Sequence, residues 1–237
     1  MSHFFYIMKI LYYPIILICL ALTIIEFIPT VAFASTHVAT YQWLLYGMAG
    51  YFVLTLLPFV RKNIEWLQTF SHELTHTIVG LLFFRKIHSF SAEQGTGMMT
   101  HSGCRFGSIF ISLSPYCLPI FTYAFLLLRI IGDASMLYVF DIFIGITLAF
   151  HISCFWRQTG LYQTDIQSEG YIRSFLFIIW GWVFNASVIL LSIRKGIVDT
   201  MMYLFPRYWQ TLLQWWDYIV DIYHMLVDWI VGWVSAL

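Results

Sequence analysis

The sequence predicts an all-α polytopic membrane protein with about six transmembrane helices, a small β-hairpin and a C-terminal amphipathic helix. Three observations lead there. The chain of 237 residues is 60% hydrophobic, 20% aromatic and only 10% charged. Its mean hydropathy of +0.79 is outside the range of soluble domains. Apolar runs long enough to cross a bilayer recur along it, separated by short polar segments.

The first run covers 10–28 and carries Glu26 near its end. It leads into Val31-Ala32-Phe33-Ala34-Ser35, which has the form of a signal-peptidase site. The apolar core is long for a signal peptide, so an uncleaved first span is expected. The second span is 41–60, closed by Arg61 and Lys62. The third is 64–84, with Asn63 placed to cap it. Then comes a polar stretch, 85–107. Ile87, Phe90 and Ala92 suggest strand-like alternation, and Gly95 and Gly97 supply a turn, so a hairpin at the membrane edge is expected.

The fourth span, 108–131, holds Pro115 and Pro119, which should bend or break it early. The fifth is 136–156, and the polar segment 157–170 separates it from the sixth, 171–193. In the tail, apolar residues recur at steps of three and four from Trp209 to Trp233, with Asp217, Asp221, His224 and Asp228 on the other side. That is an amphipathic helix with an acidic face, expected on the membrane surface or against the bundle. The chain divides into N-terminal spans (1–62), a membrane core (63–195) and a Trp-rich tail (196–237). No internal repeat is visible.

Net charge is zero, which gives no electrostatic footprint for nucleic acid. Cys19, Cys104, Cys117 and Cys154 form no C-x-x-C pair. Three of them lie in apolar runs as packing residues, and Cys104 lies in a polar segment.

The chemistry concentrates at His72-Glu73-Leu74-Thr75-His76, inside the third span. On a helix, residues four apart lie one above the other. His72 and His76 can therefore present two imidazole nitrogens to one tetrahedral zinc ion. Glu73 beside them is placed to take a proton from a zinc-bound water rather than to ligate. Eight His and five Glu make a chance occurrence roughly a one-in-two-hundred event. The apolar flanks sharpen the signal, because intramembrane ionisable residues need a compensating interaction. The bland alternative is a trio of polar residues bonded between helices without metal.

Catalytic zinc usually has a third protein ligand. The hairpin and 157–170 should lie on the same side of the membrane, because the fourth and fifth spans go out and back. Asp165 is the leading candidate, then Glu169, then His151.

Three stretches resemble the site-2 proteases, intramembrane zinc metalloproteases, in their short form without a PDZ domain. They are His72 to Leu82 on a membrane helix; the Gly-containing polar hairpin followed by Ile111-Ser112-Leu113-Ser114-Pro115-Tyr116; and Gln163-Thr164-Asp165-Ile166-Gln167 through Gly170. They fall within 65–192. The resemblance implies zinc held by His72, His76 and Asp165, with Glu73 as base. Family members place the aspartate in an Asp-Gly pair after an Asn- and Pro-rich stretch, whereas Ile166 follows Asp165 here. Asn185, in the sixth span, either replaces the family's helper asparagine or serves as an interhelical hydrogen-bonder.

The expected function is hydrolysis of peptide bonds in membrane-embedded or membrane-adjacent proteins. Gly95, Gly97 and Asn185 are candidate substrate contacts, with the hairpin holding an unwound segment by strand addition. The expected setting is the lipid bilayer of a bacterial inner membrane. The competing class is a non-catalytic membrane scaffold or a metal-binding transport component. A further enzymatic option uses Glu169 in place of Asp165.

Overall fold

The computed structural model describes residues 2–103 and 107–235; Cys104 lies outside them. The helices are α1 (Ser2–Thr36), α2 (Gln42–Thr55), α3 (Pro58–Leu82), α4 (Ser108–Leu113), α5 (Ile120–Leu128), α6 (Leu137–Gln158), α7 (Thr164–Glu169), α8 (Tyr171–Lys195) and α9 (Ile197–Ser235). Strands β1 (Lys86–Glu93) and β2 (Thr96–Ser102) form one antiparallel hairpin. A 3-10 turn, Ser114–Tyr116, extends α4.

Three helical segments are long and apolar enough to cross a membrane: Leu11–Thr36, Ala134–Gln158 and Tyr171–Lys195. Two bent pairs raise the number to at most five among the described residues. The expected second and third spans form one such pair, bent by 107° between α2 and α3. The expected fourth span is the other, bent by 85° between the 3-10 turn and α5. This revises the sequence-based expectation of six spans. Hydropathy runs through both bends, but Pro58 and the Pro115/Pro119 pair lack the N–H that a continuing helix bonds, and the helices break there, whereas α1 runs on through Pro14 and Pro29. Pro58 instead starts α3, at a position where its missing N–H costs nothing. The helix thus begins before Asn63, whose side-chain amide donates back to the Phe59 carbonyl at 2.8 Å rather than capping.

α2 and α6 pack through small residues. A Cβ at Gly47 of α2 would lie 2.0 Å from the Ile142 carbonyl oxygen, and one at Gly145 of α6 would lie 2.1 Å from the Leu44 oxygen. Backbone therefore meets backbone where α2 crosses α6, as membrane helix pairs favour. On the other side of the bundle, Ile16 of α1 joins Leu113, Tyr116, Ile166, Phe177 and Ile178 in one buried cluster. That cluster ties α1, the broken helix, α7 and α8 together. Arg129, at the end of α5, pairs with Asp141 at 2.9 Å and donates to the Ile193 carbonyl at the end of α8 at 3.1 Å. A last-turn carbonyl of α8 is thereby satisfied.

α1 is helical through 31–35, the stretch with signal-peptidase form. Its Glu26 is buried and accepts from Arg207 of α9 at 2.7 Å and from the Tyr203 hydroxyl at 3.4 Å. Leu204 packs on Val188 and Leu191, so α9 turns back along α8. Beyond it the apolar side of α9 is open: Trp216, Ile219 and Tyr223 are each about 60% exposed.

The hairpin lies back along α3 rather than at the end of the helix. Trp66 donates its indole N–H to the Ala92 carbonyl at 3.1 Å, and Gln94 reaches the Lys62 carbonyl at 3.3 Å. Phe70 and Phe90 meet edge to face. The turn at Gly95, with φ of +77°, sits toward the N-terminal end of α3. Groups of α3 decide this position: Trp66 offers an indole donor, Lys62 a backbone carbonyl acceptor and Phe70 an aromatic face.

Candidate metal centre

α3 sets the geometry of its own motif. His72 and His76 share one face, with ring centroids 4.8 Å apart. The side chain of Asp165, at the start of α7, approaches that face. Its Oδ2 lies 3.6 Å from His72 Nε2 and 3.4 Å from His76 Nε2. The three ligand atoms lie within 4.8 Å of one another. Ligands about 2.0 Å from a tetrahedral ion stand about 3.3 Å apart, so the Asp165–His separations suit a shared ion. Two imidazole nitrogens and a carboxylate oxygen are also a donor set that zinc accepts.

The tautomer of His76 follows from its other nitrogen. Nδ1 is 2.7 Å from the Ile111 carbonyl oxygen, which can only accept. Nδ1 therefore carries the proton, and the Nε2 lone pair is free to face a metal. His72 Nδ1 is buried with no hydrogen-bond partner among the described residues; its ring is held edge to face by Tyr116, with centroids 5.2 Å apart.

Asp165 hangs on a six-residue helix that is fixed from behind. Ile166 is fully buried, and the Ser174 hydroxyl donates to its carbonyl at 3.2 Å. The Tyr116 hydroxyl donates to Asp165 Oδ2 at 3.3 Å. Burial alone would raise the Asp165 carboxyl; with His72 and His76 protonated in place of a bound ion, their hydrogen bonds and charges would outweigh it and hold the group below the usual carboxylate range.

No family model, curated protein or solved structure matches the chain. The reading of the centre therefore rests on its own residues.

Glu73 is buried beside the two histidines and lines a cleft of about 590 Å³ with Glu65, Gln68, Thr69 and His72 of α3. Gly95 and Gly97 close the cleft from the hairpin, and Arg157 from the end of α6. A Cβ on Gly97 would lie 2.6 Å from the Glu73 side chain and 2.8 Å from Thr69. Only glycine lets β2 pass this close to the glutamate. Arg157 donates to Gln68 at 3.1 Å and pairs with Glu65 at 3.4 Å, so the end of α6 is fastened to α3 across the cleft.

The other sequence candidates lie elsewhere. Glu169 pairs with Arg173 across the α7–α8 elbow at Gly170, and is not among the grouped donors. His151 is buried in α6 against Trp182, with centroids 5.1 Å apart, and is also outside the group. Asn185 does not line the cleft. Its amide donates to the Cys117 and Gly181 carbonyls at 3.0 and 2.7 Å, and it accepts from the Tyr123 hydroxyl. It is the interhelical hydrogen-bonder of the two roles weighed from sequence.

Sequence reasoning assigned no role to Tyr116, Ile111 or Arg157. A signal for the first two was present. A Ser-Pro-Tyr break inside an apolar run frees carbonyls that must find donors when water is excluded, so neighbouring polar groups are drawn to it.

Proposed function

We propose that this chain is an intramembrane zinc metallopeptidase, a site-2 protease-like enzyme of the bacterial inner membrane acting on membrane-embedded or membrane-adjacent proteins. One observation carries the reading: Asp165, 89 residues downstream of His76, converges on both motif histidines while Glu73 faces an open polar cleft. A purely structural polar trio needs neither the cleft nor a carboxylate between its histidines.

His72, His76 and Asp165 would hold the ion. When bound, zinc supplies a Lewis acid that acidifies water and polarises a peptide carbonyl. Glu73 acts as general base, taking a proton from the attacking water and passing it to the leaving amine. β2 has β1 on one side only, and its Thr96–Gly97 end borders the cleft. An unwound substrate segment would add there as a strand, which satisfies backbone groups that a membrane interior leaves bare. Arg157, Gln68 and Glu65 line the same cleft and give its outer part a polar character suited to an extended peptide.

The test is cleavage of single-span model substrates co-reconstituted with the chain in liposomes, alongside zinc content. Wild type should cleave and carry about one zinc per chain. Glu73→Gln should keep the zinc and lose cleavage. Full cleavage by Glu73→Gln, or folded wild type that takes up no zinc, would remove this reading.

A further inference from the structure

We propose that Tyr116 is a positioning residue of the metal centre, its phenol hydroxyl fixing the Asp165 carboxylate against the two histidines. The proposal rests on the metal-centre reading above and extends it to the broken helix that carries Tyr116.

That segment, from α4 through the 3-10 turn, touches all three candidate ligands. The Ile111 carbonyl takes the His76 Nδ1 proton at 2.7 Å. The Tyr116 ring meets His72 edge to face. The Tyr116 hydroxyl donates at 3.3 Å to Asp165 Oδ2, the same oxygen that faces both Nε2 atoms. Metal ligands are commonly oriented by such outer partners, which fix the tautomer of an imidazole and the direction of a carboxylate.

The break makes Tyr116 rigid enough for this task. Pro115 cannot extend α4 in regular form, and the chain turns by 85° before α5. Carbonyls exposed by the break are taken up by side chains of α8. Trp182 donates its indole N–H to the Tyr116 carbonyl at 2.9 Å, and Asn185 donates to the Cys117 carbonyl at 3.0 Å. Tyr116 is 1% exposed. Its backbone is pinned on one side and its ring is packed on the other, so the hydroxyl has one direction.

Asp165 needs such a partner. Ile166, Ser174 and the Glu169–Arg173 pair hold the backbone of α7, but none of them touches the carboxylate. Apart from the two histidines, Tyr116 is the only side chain bonded to it among the described residues. A tyrosine kept for packing alone would not need its buried hydroxyl, which is costly to bury without a partner.

The experiment measures zinc affinity of the full chain in detergent by chelator competition, for wild type, Tyr116→Phe and Trp182→Phe. Cobalt-substituted spectra and thermal melts of the zinc-free proteins accompany it. Tyr116→Phe should weaken zinc binding by about 10- to 100-fold and shift the cobalt spectrum, while the zinc-free melt stays close to wild type. Trp182→Phe, which removes the bond to the Tyr116 carbonyl and trims the packing on His151 and Phe155 while leaving the Tyr116 hydroxyl in place, should weaken zinc binding by less. Affinity within twofold of wild type in a folded Tyr116→Phe protein overturns the proposal and leaves the metal centre standing. If Tyr116→Phe fails to fold, unchanged affinity in Trp182→Phe overturns it. A folded wild type that binds no zinc overturns both this proposal and the reading beneath it.

Discussion

His76 donates its Nδ1 proton to the carbonyl oxygen of Ile111 at 2.7 Å, and the opposite nitrogen of the same ring faces Asp165 at 3.4 Å. Thirty-five residues separate the first pair and eighty-nine the second. One imidazole is thus held between the broken helix and α7. A histidine so held is prepared to accept a metal without first turning its ring.

His72→Ala, His76→Ala and Asp165→Ala should each lose zinc from the purified protein, while Glu169→Ala should retain it. Glu169 serves the elbow through Arg173, so its removal should instead lower the melting temperature. Elemental analysis of the five proteins, wild type included, decides the matter. Loss of zinc in Glu169→Ala with retention in Asp165→Ala would reverse the assignment.

Zinc affinity should fall steeply in acid. Both histidines must be neutral at the ligating nitrogen, and a proton competes with the metal for each. As the pH falls the affinity should drop by up to about tenfold per imidazole for each pH unit. Chelator competition at a series of pH values measures the slope. A flat profile between neutrality and pH 5 would argue against histidine ligation.

Glu73→Gln should lower cleavage by at least about 100-fold, the scale of a lost general base, with zinc content unchanged. Single-turnover assays on the reconstituted protein separate this loss from a change in substrate binding.

Gly97→Ala should also reduce cleavage while sparing zinc. Its methyl group would fall 2.6 Å from the Glu73 side chain, so either the glutamate or β2 must move. Overpacking of this kind costs about 1–3 kcal/mol. Limited proteolysis should detect a loosened hairpin, and Gly95→Ala is the contrast: there a Cβ meets nothing within 4 Å, although the positive φ of +77° adds strain.

Arg207→Leu should destabilise the protein more than Glu26→Gln. The first leaves a buried carboxylate without its cation; the second removes the charge itself. Stranding a buried charge costs about 3–5 kcal/mol when both partners are buried, and less here because Arg207 is half-exposed. Thermal denaturation in detergent gives the order of the two variants.

The parts legible in the sequence are those fixed by local geometry. His72, Glu73 and His76 share a face because a helix dictates it. Gly95 announces a turn because φ there is positive. Asp165 is suggested in the sequence by its polar segment before the last apolar run, and the structure brings its carboxylate to both histidines. The bends themselves were hidden, because hydropathy reads composition and not direction: 41–84 reads as two apolar runs whether the chain goes straight or turns by 107°. The hairpin's place along α3 was equally hidden, since it depends on Trp66 and Lys62 meeting Ala92 and Gln94. Tyr116 has no visible task in the sequence, because its partner Asp165 is forty-nine residues away.

The bond between Glu26 and Arg207 spans 181 residues, and this bears on how the chain is made. Glu26 belongs to the candidate span Leu11–Thr36, while its counter-charge belongs to α9. During synthesis the carboxylate must wait for its cation until the 180 intervening residues have been made. The first helix cannot reach its final electrostatic state until the ninth has been delivered to it. Assembly at this end of the bundle is therefore a closing step that follows translation of Arg207, and the order of insertion is not the order in which the packing becomes complete.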